Sequence, residues 1–202
     1  MSDLTCMVFI YLLYLKKRIS MRSFVIIIFI FVLSIPGHAD TWNDDLQSAR
    51  LLYHQAIEDK ELVEPAIRVF EKIAQNDSSL SALCQVYQGS LTALKGKHSF
   101  SPYKKFKYVK DGLKIMDSAV NQKPDDVEII FIRASTCFYL PSFFGRKEQS
   151  RRDFLKIVDL FRENPSLVAL PYMPQVLEFI LKHITLPEDD RSFLMMYTGV
   201  SK

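Results

Sequence analysis

With 202 residues, 49% of them hydrophobic and 24% charged, the chain has the composition of one globular domain plus a targeting segment, and not of a disordered polymer. The formal charge of +3 is concentrated at the start: four of the 26 Lys and Arg and one of the 23 Asp and Glu lie in residues 1–39, so the remainder carries 22 of each and is neutral. A neutral body argues against a nucleic-acid partner, because a protein that lives on phosphates needs a net basic domain.

Met7 to Leu15 is a first apolar stretch, closed by Lys16-Lys17-Arg18. Met21-Arg22-Ser23 opens a second, which runs from Phe24 to Ile35 and ends in Pro36-Gly37-His38-Ala39. A charged start, an apolar run and a small-x-small site are the parts of a secretory signal peptide. Twelve residues of helix cover about 18 Å against a hydrocarbon core of about 30 Å, so neither stretch spans a bilayer alone. The simplest account begins translation at Met21, removes residues 1–39 on export and leaves residues 40–202 as a domain in the periplasm or outside the cell. The alternative is an uncleaved membrane anchor, with the bases from Lys16 to Arg22 holding the cytoplasmic side. No Cys follows the apolar run, which argues against a lipoprotein.

Beyond residue 40 the apolar residues recur with a helical period and strand signals are absent. Residues 44–58 align Leu46, Ala49, Tyr53, Ala56 and Ile57, and residues 61–75 align Leu62, Val63, Ala66, Ile67, Phe70, Ile73 and Ala74, with Pro65 in the tolerated first turn. Asp77-Ser78-Ser79 offers a turn and a cap before a helix over 79–95. A loop is expected from Lys95 to Ser101, closed by Pro102 at the start of a helix over 102–122. Pro124-Asp125-Asp126 stops that helix and caps the next, 126–139, which is apolar on nearly every side and is expected at the centre of the fold. Pro141 ends it. Helices over 147–162, 174–184 and 188–197 follow, separated by Pro165, Pro171 and Pro174 and then by a last turn. Cys84 and Cys137 fall on apolar faces; an exported protein could pair them, and small core residues are the other reading.

Within the helix over 102–122 the spacing Gly112-x3-Met116-x2-Ala119-x4-Pro124 resembles the small–large–small–proline pattern of tetratricopeptide (TPR) repeats. Ala66-x3-Phe70-x2-Ile73 is a looser copy, with Ser78 where Pro is expected. Ile130 and Ala134 fall where the following repeat wants its large and small residues, and Gly89 suits a close helix approach. The resemblance implies an all-α, TPR-like array of about three helix–turn–helix hairpins, 44–75, 79–122 and 126–162, plus a C-terminal helical pair. The other reading is an irregular helical bundle.

The chemistry-bearing residues do not cluster. His38, His54, His98 and His183 are scattered, the six glycines form no phosphate loop, and no nucleophile elbow occurs. The pairs Asp44-Asp45, Asp125-Asp126 and Asp189-Asp190 are expected at helix starts, as caps. No cofactor, metal or catalytic group is expected.

One region stands apart. Lys95, Lys97, Lys104, Lys105, Lys107 and Lys110 occur without an acid until Asp111, interleaved with Phe100, Tyr103, Phe106 and Tyr108. A second turn reads Phe143-Phe144-Gly145-Arg146-Lys147, followed by Arg151 and Arg152. Both lie between the two helices of a hairpin, so in an array they fall on one edge. The candidate binding residues are Tyr103, Lys104, Lys105, Lys107, Phe143, Phe144, Arg146 and Arg151. The alternative is a solvated lysine face with aromatics packing a loop. The function expected is a protein-interaction module of the bacterial envelope, with an unidentified protein partner. A small anionic ligand held in a pocket between the helices 102–122 and 126–139, or a membrane-anchored structural role, are the alternatives.

Overall fold

A computed structural model describes the backbone of residues 39–198 and side chains from Asp45 to Thr198. The expected signal peptide or anchor, and the alternative start at Met21, lie outside the described residues. The helices are α1 (Ala39–Glu58), α2 (Val63–Asn76), α3 (Ser81–His98), α4 (Pro102–Gln122), α5 (Val127–Tyr139), α6 (Lys147–Glu163), α7 (Met173–His183) and α8 (Glu188–Thr198). Among the described residues there is no strand.

Side chains cap the starts of α4 and α5 and the turn before α3. The Asp77 carboxylate accepts the Ser79 N–H at 2.8 Å in the turn that opens α3, Ser101 accepts the Lys104 N–H with Pro102 leading α4, and Asp126 accepts the Ile129 N–H at 3.1 Å to start α5. Asp44 and Asp45, expected at a helix start, instead sit in the second turn of α1, because the helix begins upstream at Ala39. The turn Ser142–Phe144 ends on Gly145 at φ +70°, a conformation a side chain would strain.

The expected loop from Lys95 to Ser101 is not formed. Helix α3 continues to His98, leaving only Ser99–Ser101 as the connection. The two lysines that suggested a loop have partners on other helices. Lys95 pairs with Glu64 at 2.7 Å, Lys97 donates to the Ile57 carbonyl at 3.2 Å, and Gly96 is buried where a Cβ would lie 3.0 Å from the Lys105 carbonyl oxygen.

Successive helices from α2 to α6 pack on one another, as do α7 and α8, and α3 also packs on α5. Ser90 of α3 bonds to both Tyr53 of α1 and Thr136 of α5, each at 2.9 Å. Rings of α5 and α6 (Phe131, Phe138, Phe154) gather around Phe179 of α7, and Phe161 of α6 packs on Phe193 and Tyr197 of α8. The closest crossing is α3 on α4, where Gly89 faces Gly112. One continuous apolar core runs from Leu46 to Leu194. Cys84 and Cys137 are buried free thiols, so no disulfide joins them; burial pushes their pKa values up to about 11 and about 12.

Helix α5 has its expected central position, with Ile129, Ile130, Ala134 and Cys137 buried. Two charged residues are buried with them. Glu128 accepts bonds from Arg50 (2.7 and 2.6 Å) and from Tyr87 (2.6 Å), tying α5 to α1 and α3. Arg133 donates to Asp153 of α6 at 2.9 and 2.7 Å and to Asp117 of α4 at 3.2 Å.

Candidate functional site

The start of α4 meets the turn between α5 and α6 in space. Phe106, in the second turn of α4, stacks on Phe144 with ring centroids 5.5 Å apart, and Phe144 is tilted against Phe143 at 4.5 Å. Phe144 is half-buried on the core and anchors the group. The other rings face water: Phe100 is 99% exposed, Tyr103 76%, Phe143 74% and Phe106 47%. Single exposed apolar residues need no explanation, but four large rings on two connections and the start of α4 do.

The basic residues divide into two kinds. Lys104, Lys105, Lys107 and Arg151 are exposed and make no ion pair among the described residues. Lys110 lies over the Phe106 ring, 5.3 Å from its centroid. The rest are used internally. Arg146, expected on the open surface, turns inward and grips both oxygens of Asp117 at 3.2 and 2.8 Å. It joins the Arg133–Asp117–Asp153 network, and so fixes the turn that presents Phe143 rather than offering a charge to a ligand. Lys147 donates to the Phe138 carbonyl, and Arg152 stands 3.9 Å from Glu148. Lys95 and Lys97 are held by Glu64 and the Ile57 carbonyl.

Beside the α3–α4 turn lies a cleft of about 490 Å³, lined among others by Lys60, Glu64, Lys95, His98, Phe100 and Lys104. The His98 Nε2 is enclosed at its wall and has no hydrogen-bond partner. A second hollow of about 270 Å³ lies between α1 and α2. Neither is lined by α5, where the sequence placed the pocket of a small-ligand binder.

Two buried charge clusters escaped the sequence reading. For Arg50 burial pulls the pKa down, but bonding to Glu128 and its charge outweigh this and hold it above the usual value. Burial, reinforced by the Glu128 charge, drives the Tyr87 hydroxyl far above the ordinary tyrosine range. Each carboxylate oxygen of Glu128 and Asp153 already has a donor. These groups hold helices together and offer no free atom to a substrate. The signal that could have found them is a Glu and an Arg five apart on a helix otherwise apolar all round, since a buried charge requires a partner.

Comparison with protein-family models, with curated proteins and with solved structures gives no match.

Proposed function

We propose that the chain is a non-enzymatic interaction module of the bacterial envelope, a TPR-like helical array that docks an anionic partner through the end where the start of α4 meets the α5–α6 turn. The observation that carries this reading is the Phe106–Phe144 stack, which gathers exposed rings from two hairpins beside lysines that have no acid to pair with. The array reading is supported by the packing of α2 on α3, α3 on α4 and α5 on α6, and by that of α3 on α5. It is also supported by Gly112, Met116 and Ala119 lying buried at the positions the repeat pattern assigns. Helical arrays bind through such surfaces without chemistry of their own. Export rests on the apolar run from Phe24 to Ile35, and N-terminal sequencing of the protein from cells tests it: a start at Asp40 supports export, and a retained segment supports the anchor.

The docking test is affinity capture from an envelope fraction, using the protein as cells process it beside a Lys104→Ala/Lys105→Ala/Lys107→Ala variant. Arg146 is left intact because its loss would disturb the turn. Anything anionic held by the wild type and released by the variant supports the reading; capture that ignores these lysines refutes it. The cleft beside His98 favours a second reading, a small anion bound by Lys104 and the imidazole. Stabilisation by inorganic phosphate or a dicarboxylate, lost in His98→Ala, would support that one.

A further inference from the structure

We propose that the anionic partner is the headgroup surface of a lipid bilayer, met end-on by the α3–α4 hairpin; this rests on the docking reading above and names its partner.

At about 100° per residue, Lys104, Lys107 and Lys110 follow one another along a single face of α4, and Lys105 stands about 100° from Lys104, toward the side that buries Val109, Gly112 and Leu113. Lysine stems extend along apolar surface toward charge, so a flat anionic surface met by the tip gathers them. The rings lead. Phe100 sits at the apex of the connection and is 99% exposed, Tyr103 follows in the first turn, and Phe143 stands out from the neighbouring turn. Aromatic rings ahead of a collar of lysines match the layered chemistry of a bilayer interface, with an apolar boundary beneath anionic headgroups.

Directional groups are scarce at this end. Ser101 is occupied as the cap of α4, which leaves Ser99, Ser142, the Tyr103 hydroxyl and the enclosed His98 Nε2. The surface can read charge and an apolar boundary, and has little with which to read a particular peptide. The lysines also stand where the fold does not want them. The first turn of α4 holds no acid, as in α3 and α7, whereas α2, α5, α6 and α8 open with acidic residues as the helix dipole prefers. Placing cations at this helix start weakens the helix and serves an anionic partner.

The test places a reporter at the tip. Trp42→Phe removes the single tryptophan of the chain, and Phe100→Trp puts one at the apex, keeping an aromatic ring there. The protein as processed in cells is mixed with phosphatidylcholine vesicles, with the same vesicles containing phosphatidylglycerol, and with soluble polyglutamate. The expected result is a blue shift of the tip emission on phosphatidylglycerol vesicles and its quenching by brominated acyl chains. No shift is expected on phosphatidylcholine alone or with polyglutamate. Replacing Lys104, Lys105 and Lys107 by Ala should weaken vesicle binding about a hundredfold, at about fivefold per lysine. Attachment through residues 24–35 would not imitate this, because the reporter sits on the tip. Tip emission that stays unshifted and unquenched on anionic vesicles overturns the proposal. If polyglutamate then binds through the lysines, or capture yields a lysine-dependent protein, the docking reading survives with an acidic protein as partner. If neither anion binds through these lysines, both readings fall.

Discussion

Replacing Gly112 by Ala tests the packing on which the hairpin rests. In a helix interior this exchange normally stabilises by about 1 kcal/mol, because Ala is the better helix former. Here the new Cβ would lie 2.4 Å from the Gly89 carbonyl oxygen, 2.6 Å from the Ala93 nitrogen and 2.9 Å from the Ala93 Cβ. Two of those atoms are backbone, so no rotamer change relieves the clash. Restoring ordinary contact needs α3 and α4 to part by roughly 1 Å, an opening that forfeits up to about half of the dispersion well for atoms across the seam. Overpacking that moves backbone belongs at the upper end of the usual range, about 3 kcal/mol. Less the propensity gain, the net loss is about 2 kcal/mol, or a Tm lowered by about 4–8 °C for a chain of this size. Urea and thermal unfolding measure it. Gly96→Ala is the internal control: its Cβ meets the Lys105 carbonyl and a Val109 methyl at 3.0 Å, so the loss should be much smaller. A Gly112→Ala protein as stable as the wild type, or more so, would refute the close crossing.

Three further outcomes are expected. Lys104→Glu/Lys105→Glu should raise stability by about 1 kcal/mol, because each exchange puts an anion where the α4 dipole favours one, and should abolish docking to anionic surfaces; thermal melts and vesicle co-sedimentation read the two effects separately. Glu128→Gln should destabilise by about 3 kcal/mol, since it leaves the partly buried Arg50 without its counter-charge, whereas Glu128→Leu combined with Arg50→Met should cost less than the single change; a double-mutant cycle by urea unfolding decides. Cys84 and Cys137 should resist alkylation at pH 8 in the folded protein and react at once when unfolded. Because both acids have pKa values raised from 9.0 by folding, their contribution to stability is whole below about pH 9 and is lost as pH climbs toward 11 and 12, which pH-dependent urea midpoints would show.

Helix positions were legible because each helix carries an apolar stripe that the core must bury, and prolines and aspartates punctuate the gaps. The end of α3 was not. Lys95, Gly96, Lys97 and His98 look like a loop by composition, and their helical state depends on Glu64, the Ile57 carbonyl and α4, all distant in sequence. The same limit applies to the site. Spacing placed Phe106 and Phe144 on one edge, where they stack, because turns at equivalent points of successive hairpins fall together. It could not tell Arg146 from Lys104, since both are cations in turn-flanking positions. What separates them is Asp117, one helix away from Arg146 and paired with it. Glu128 and Arg133 were hidden for a related reason: a reading by apolar faces counts what a helix buries and passes over charges buried with partners on other helices.

The division between paired and unpaired cations is what makes a local docking surface compatible with a neutral body. Arg50, Arg133 and Arg146 each face an acid at 3.2 Å or less, so at any distance they look like dipoles, whose fields decay quickly. At physiological salt the Debye length is about 8 Å, and a charge cluster is felt over little more than that distance. An approaching anionic surface therefore senses the cluster nearest to it rather than the sum over the chain. At the α3–α4 tip that cluster is Lys104, Lys105, Lys107 and Lys110, with no acid before Asp111. Docking by such a cluster must weaken steeply with added salt, whereas the buried pairs that hold the body are screened far less. Raising salt should accordingly release the partner well before it changes the unfolding midpoint. A partner that survives high salt would have to be held by the rings alone, with Phe100→Ala and Phe143→Ala, rather than the lysine variants, setting it free.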